Sequence, residues 1–232
     1  MLSRMIDRRL RARRERGLSI VELLVGVAVG LFLVAGAVTL FVGNLGNSRQ
    51  LLLEARINQD MRATADLITR DLRRAGYWGG NSPLAATVAS AASSPNPYST
   101  ITAGSGIVEY AFSRDGATDN NVLDANENFG FQRAVVGGVG VIQMKLGSGN
   151  WQTVTDPQSM DVTALTVTPT ETAVSVADAC PSVCVGAGCP AIRVRQYAVA
   201  ITANAIGRAA TSRTLQTRAR ARNDQLTGAC PT

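Results

Sequence analysis

Residues 13–44 read RRERGLSIVELLVGVAVGLFLVAGAVTLFVGN, and one carboxylate, Glu22, stands at the mouth of an apolar run that continues unbroken from Leu23 to Val42. At 1.5 Å per residue these positions make a helix of about 30 Å, the hydrocarbon thickness of a bilayer. An acidic residue at a bilayer centre costs roughly 2.5–3.5 kcal/mol; near the edge, where Glu22 falls, it costs less. Either the acid is tolerated at the interface, as in a plain single-pass anchor, or something requires it there.

The charge before this run is lopsided. Residues 1–17 carry Arg4, Arg8, Arg9, Arg11, Arg13, Arg14 and Arg16 against Asp7 and Glu15, a net +5. The whole chain is +6, so about +1 remains after Gly17, and the basic balance belongs to the leader rather than to a nucleic-acid surface. Seven arginines before the span place the N-terminus in the cytoplasm and the remainder on the far side. A cleaved secretory signal has a shorter apolar core, and Ala35-Gly36-Ala37, which resembles its cut site, lies inside the run. The pairs Arg8-Arg9 and Arg13-Arg14 read as a basic patch rather than a twin-arginine signal.

Working outward, no proline precedes Pro83, so one helix over residues 18–76 is expected, ended by Gly79-Gly80-Asn81-Ser82-Pro83. Its second half is one-sided: Leu53, Ile57, Met61, Ala65, Ile68, Leu72 and Ala75 recur every three or four residues, with charged residues between them. Asp66 and Arg70 stand at i,i+4 on the charged face. Gly26 and Gly30 form a GxxxG pair that lets another helix approach closely, against the plainer reading of ordinary glycine usage in membrane helices.

Beyond Tyr77 the texture changes. Residues 85–105 are rich in Ser, Ala and Pro and read as a loop; strand-like runs follow at 107–112, 129–136, 139–146, 162–168, 191–203 and 211–222. The last two are joined by a turn at 205–208. Arg218, Arg220 and Arg222 alternate with Ala219 and Ala221, so three guanidiniums share one face, solvated or in contact with another subunit. The expected architecture is α+β: a long N-terminal helix, apolar in its first half, packed by its amphipathic second half on a mostly antiparallel sheet. The expected divisions are 1–17, 18–42, 43–80 and 81–232.

Cys180, Cys184, Cys189 and Cys230 all lie on the expected exported side, where an oxidising periplasm favours disulfides. Four cysteines allow three pairings, and the sequence does not choose among them. One bond within residues 180–189 and one to Cys230 is the expectation. Zinc on four thiolates competes, but C-x3-C-x4-C departs from the usual C-x2-C spacing. DGATDNNVLDANE (115–127) is oxygen-rich without the order of an EF-hand, so a solvated turn is expected over a calcium loop. With no histidine and no recognisable nucleophile, triad or carboxylate dyad, no catalytic residue, metal or cofactor is assigned, and the chain reads as a non-enzyme.

Gly17, then Leu18-Ser19-Ile20-Val21-Glu22-Leu23-Leu24 and an apolar span, resembles the class III signal of type IV prepilins and pseudopilins. The resemblance implies cleavage after Gly17 by a membrane prepilin peptidase, N-methylation of Leu18, a glutamate at the fifth mature position, and a pilin-like fold. The segments 70–81, 135–147 and 218–226 are similar to the PilW family of minor pilins, although Gly79-Gly80 stands where that family often has a cysteine. A low-abundance subunit is then implied, supporting pilus assembly, twitching motility, adhesion or DNA uptake. Its implied partners are other minor pilins, the major pilin, the inner-membrane assembly platform and a tip adhesin, with no direct nucleic-acid contact. Its implied location is the inner membrane and then the filament. A J-type minor pseudopilin of type II secretion, or a membrane-anchored periplasmic binding module, is the alternative.

Overall fold

The computed structural model describes residues 17–79, 96–115, 119–206 and 208–231. Residues 1–16 of the leader, 80–83 of the expected helix stop, most of the 85–105 loop and 116–118 of the acidic segment lie outside them. One helix, α1 (Ile20–Leu72), contributes to both units into which the chain divides, Met1–Leu51 and Leu52–Thr232.

In the first unit α1 is helical, and its residues 20–46, 48 and 49 are exposed. In the second, the expected stripe is buried: Ile57, Met61, Ala65, Ile68, Leu72 and Ala75 are each at most 2% exposed and join the core. Leu53, the first member of the pattern, is 40% exposed instead. Polar ties reinforce this packing, with Arg213 pairing Glu54 at 3.0 Å and Arg56 pairing Asp156 at 3.1 Å. Asp71, expected on the solvated face, is buried, because its carboxylate accepts from Tyr110 Oη (3.1 Å) and Arg74 Nη2 (2.5 Å).

The helix ends at Leu72, short of Gly76. The ladder tightens there to i→i−3 bonds (Arg74 N to Asp71 O, Ala75 N to Leu72 O), and the Gly76 N–H leaves it for Ala111 O at 2.8 Å. The chain is thereby captured by a strand before the Gly79-Gly80 breaker is reached.

Two antiparallel sheets replace the single expected one. The first runs in chain order: β1 (Ile101–Ala103), β2 (Ile107–Ala111), β3 (Asn128–Val136), β4 (Val139–Leu146) and β5 (Gln152–Thr153). β3 and β4 are joined by Gly137-Gly138, both at positive φ, the two-residue hairpin turn that suits the strand twist. β1 arises inside the stretch read as loop, because Ile101 and Ala103 find partners in Tyr110 and Val108.

The second sheet holds β6 (Met160–Ser175), β7 (Ala191–Ala205) and β8 (Arg208–Arg220) in that order, with β9 (Gln225–Thr227) also on β7. β6 pairs β7 along its whole length, so β9 must take the other side of β7, beyond the end of β8. β6 continues seven residues past its expected end at Thr168, through Pro169, which is tolerated because β6 is an edge strand. A bridge from Ser105 to Thr166 and the bond from Gly106 N to Leu165 O (2.7 Å) tie the sheets together. Between them and the helix lies one core, including Val108, Phe131, Ile142, Met160, Val162, Leu165, Tyr197 and Ile201.

Candidate functional site

Three groups of residues singled out by sequence fall in different places. The expected cleavage and assembly residues lie in the first unit. Gly17, Leu18 and Ser19 precede the helix; Ser19 starts it, its carbonyl accepting from Leu23 N at 3.1 Å and its hydroxyl from Val21 N at 3.4 Å. α1 therefore begins two residues after Leu18, and Glu22 sits in its first turn, where a carboxylate complements the positive end of the helix dipole. Among the described residues none forms an ion pair with Glu22. Leu18 is 72% exposed and Phe32 is 81% exposed, and the large apolar residues between them are exposed as well. By length and composition α1 can cross a membrane. A Cβ built on Gly26 or Gly30 meets nothing within 4 Å, so among the described residues none uses the space of their missing side chains. A helix of this composition has to be covered by lipid, by other helices, or by each in turn.

The cysteines form the second group. Cys180 bonds Cys230, and Cys184 bonds Cys189, so no thiolate is left as a metal ligand. The loop between β6 and β7 is thus stapled within itself and to the C-terminal tail. β9 adds backbone pairing to β7, and Ala229 N donates to Gly188 O at 3.1 Å, so the tail is held by sheet and covalent bond together. Val183 and Val185 stand out from this loop at 89% and 90% exposed.

The acidic segment is the third group, and its expectation as a wholly solvated turn is corrected at Glu127. That residue is fully buried, with Oε1 accepting from Arg114 N and Oε2 from Asp124 N, each at 3.0 Å. Two backbone donors satisfy the carboxylate, which makes its burial possible. Asp119 accepts from Tyr98 Oη (3.2 Å) and from Asn121 N (2.6 Å). Burial works to raise the Asp119 carboxyl, but bonds of this kind outweigh it and hold the group below its ordinary range. Among the described residues, no three His, Cys, Asp or Glu side chains are grouped to hold a metal ion.

The arginine alternation at the end of the chain is only partly as read. Arg218 and Arg220 project from β8 with Ala219 buried between them, and Arg220 pairs Asp224 at 2.9 Å. Arg222 lies past the end of the strand, its N–H donating to Arg73 O, and so belongs to a different surface.

No curated protein and no solved structure matches the chain. The sequence model of one family, described as PpdB, prepilin peptidase-dependent protein B, matches residues 50–221, about three quarters of the chain. That match leaves out Gly17 to Leu24, so the family assignment and the resemblance to a class III signal rest on different residues. With a long apolar N-terminal helix, an antiparallel α+β head and a match across most of that head, the chain belongs to the prepilin peptidase-dependent protein B family.

Proposed function

We propose that this protein is a minor type IV pilin of the PilW kind, a structural subunit rather than an enzyme, which helps to prime the filament and remains near its tip. The observation that carries the reading is Glu22 in the first turn of an apolar, uncovered helix that starts just after Leu18. Cleavage after Gly17 removes +5 of charge and creates a cationic amine on Leu18, four residues from Glu22. In a stack of such helices the Glu22 carboxylate of one subunit meets the Leu18 amine of the next. In low dielectric each charge needs the other, since either alone would be buried without compensation. The pair then acts as a register key, and N-methylation keeps the charge. The partners are the prepilin peptidase, the assembly platform, the major pilin, the other minor pilins and a tip adhesin. The location is the inner membrane, with the head periplasmic, and then the filament.

The test is Glu22→Ala in native cells, read by mature N-terminal sequencing and by recovery in sheared filaments. Normal trimming and membrane insertion with loss from filaments is the expected result. Undiminished incorporation, or a native chain that keeps Met1, overturns it. A deletion that spares twitching and abolishes protein export would assign the chain to a secretion pseudopilus instead.

A further inference from the structure

A second concentration of charge lies at the C-terminal end of α1, within the head. Arg73 and Arg74 follow the helix, Arg114 follows β2 and Arg222 follows β8; with Tyr77 and Phe112 they line an open recess of about 580 Å³. Arg70 joins Arg73, Arg74 and Arg222 around an adjoining hollow of about 450 Å³. Arg74 is neutralised by the buried Asp71, and it lies 4.7 Å over the Phe112 ring. Among the described residues no carboxylate pairs with Arg70, Arg73, Arg114 or Arg222. A helix C-terminus attracts cations, but its dipole is worth about half an elementary charge. Three uncompensated guanidiniums around the recess, with Arg70 on the adjoining hollow, exceed what that dipole balances, and they repel one another until an anion arrives.

We propose that this recess docks an acidic segment of a partner protein, its carboxylates bridging the guanidiniums of Arg73 and Arg222 and its backbone lying across Tyr77. Guanidinium forks match carboxylates bidentately, which gives such a site geometric as well as electrostatic selectivity. Nucleic acid fits less well. After Gly17 the chain carries only about +1, so no long-range field gathers a polyanion. Of the two rings in the recess, Tyr77 is 43% exposed and Phe112 is buried, too little for a run of stacked bases. The inference stands apart from the filament reading, because it concerns the purified chain alone.

The experiment uses the full chain in detergent micelles with a labelled Asp/Glu-rich peptide, its Asn/Gln counterpart and a single-stranded oligonucleotide. The acidic peptide is expected to bind and to weaken as ionic strength rises. The double variant Arg73→Gln, Arg222→Gln is expected to lower its affinity at least about tenfold, while Arg218→Gln on β8 leaves it unchanged. Both recess side chains are exposed, and an unchanged thermal melt confirms the fold of the variant. The leader arginines are common to every variant and cancel. Equal binding of the neutral peptide, an affinity indifferent to the double variant, or tighter oligonucleotide binding through the same two arginines overturns the proposal.

Discussion

The guanidinium of Arg195 fills the space that a side chain on residue 76 would need: a Cβ on Gly76 would stand 2.5 Å from Arg195 Nη2. Arg195 is 7% exposed and donates to Ser99 O at 2.7 Å and to Asn223 O at 3.0 Å, so it cannot retreat without breaking both bonds. Gly76 also has φ +76, a conformation that costs an L residue about 1–2 kcal/mol. Gly76→Ala is therefore expected to lose about 3 kcal/mol once the displaced guanidinium is included. Urea unfolding followed by tryptophan fluorescence measures this, and a loss below about 1 kcal/mol would show that Arg195 relocates freely.

The two disulfides differ in what they constrain. Cys180 and Cys230 are 50 residues apart, whereas Cys184 and Cys189 are five apart. In the chain-entropy account the first contributes about 4 kcal/mol and the second about 2 kcal/mol. Replacing Cys180 and Cys230 by Ser should lower the melting temperature more than replacing Cys184 and Cys189. Mass mapping without reductant should recover the two pairs separately, and a Cys180–Cys184 link would contradict the fold of the loop.

Local periodicity made the helix stripe from Ile57 to Ala75 legible, because burial on one face writes itself into every third or fourth residue. The β3–β4 hairpin was legible for a similar reason: two apolar runs flank Gly137-Gly138. What escaped depends on partners distant in sequence. Asp71 looks like any charged helix residue until Tyr110 is brought to it, and β1 is too short to stand out from its Ser- and Ala-rich surroundings. Glu127 was readable in principle, since Asp124-x-x-Glu127 before an apolar run is the pattern of a capping box. Of the arginines around the recess and its adjoining hollow, only Arg70, Arg73 and Arg74, spaced for one helix turn, were visible as neighbours; Arg114 and Arg222 arrive through the sheets.

Tyr110 shares the expected behaviour at high pH with Tyr98 and Tyr197, whose phenols burial also raises. Burial, and then the adjacent Asp71 carboxylate, raise its phenol well above the ordinary value near 10. A raised folded-state value means that the native state holds the proton more tightly than the unfolded one. The associated stability is complete below about pH 10 and is lost as pH climbs beyond it. Unfolding should therefore become easier above that pH, with tyrosinate absorbance appearing together with loss of secondary structure. Tyr110→Phe should lessen that alkaline decline without abolishing it, since Tyr98 and Tyr197 remain, and cost about 1–2 kcal/mol at neutral pH, because Asp71 loses one of its two donors. An alkaline profile unchanged in the Phe variant would mean that Tyr110 is not the group responsible.

Gly26 and Gly30 offer a separation of folding from association. Both face open space within their own chain, so Gly26→Leu and Gly30→Leu should leave helix content and the thermal melt of the head unchanged. Each replacement also removes a glycine from a helix interior, a gain in helix propensity of about 1 kcal/mol. If the two positions admit the close approach of a neighbouring helix, the bulkier side chains hold that neighbour away despite the better helix. The expected outcome is a stable, membrane-inserted protein that no longer co-purifies with the pilin partners proposed above after mild detergent extraction. Retention of those partners by the double Leu variant would mean that the glycines only reflect the composition of the span, and that association runs along another face of α1.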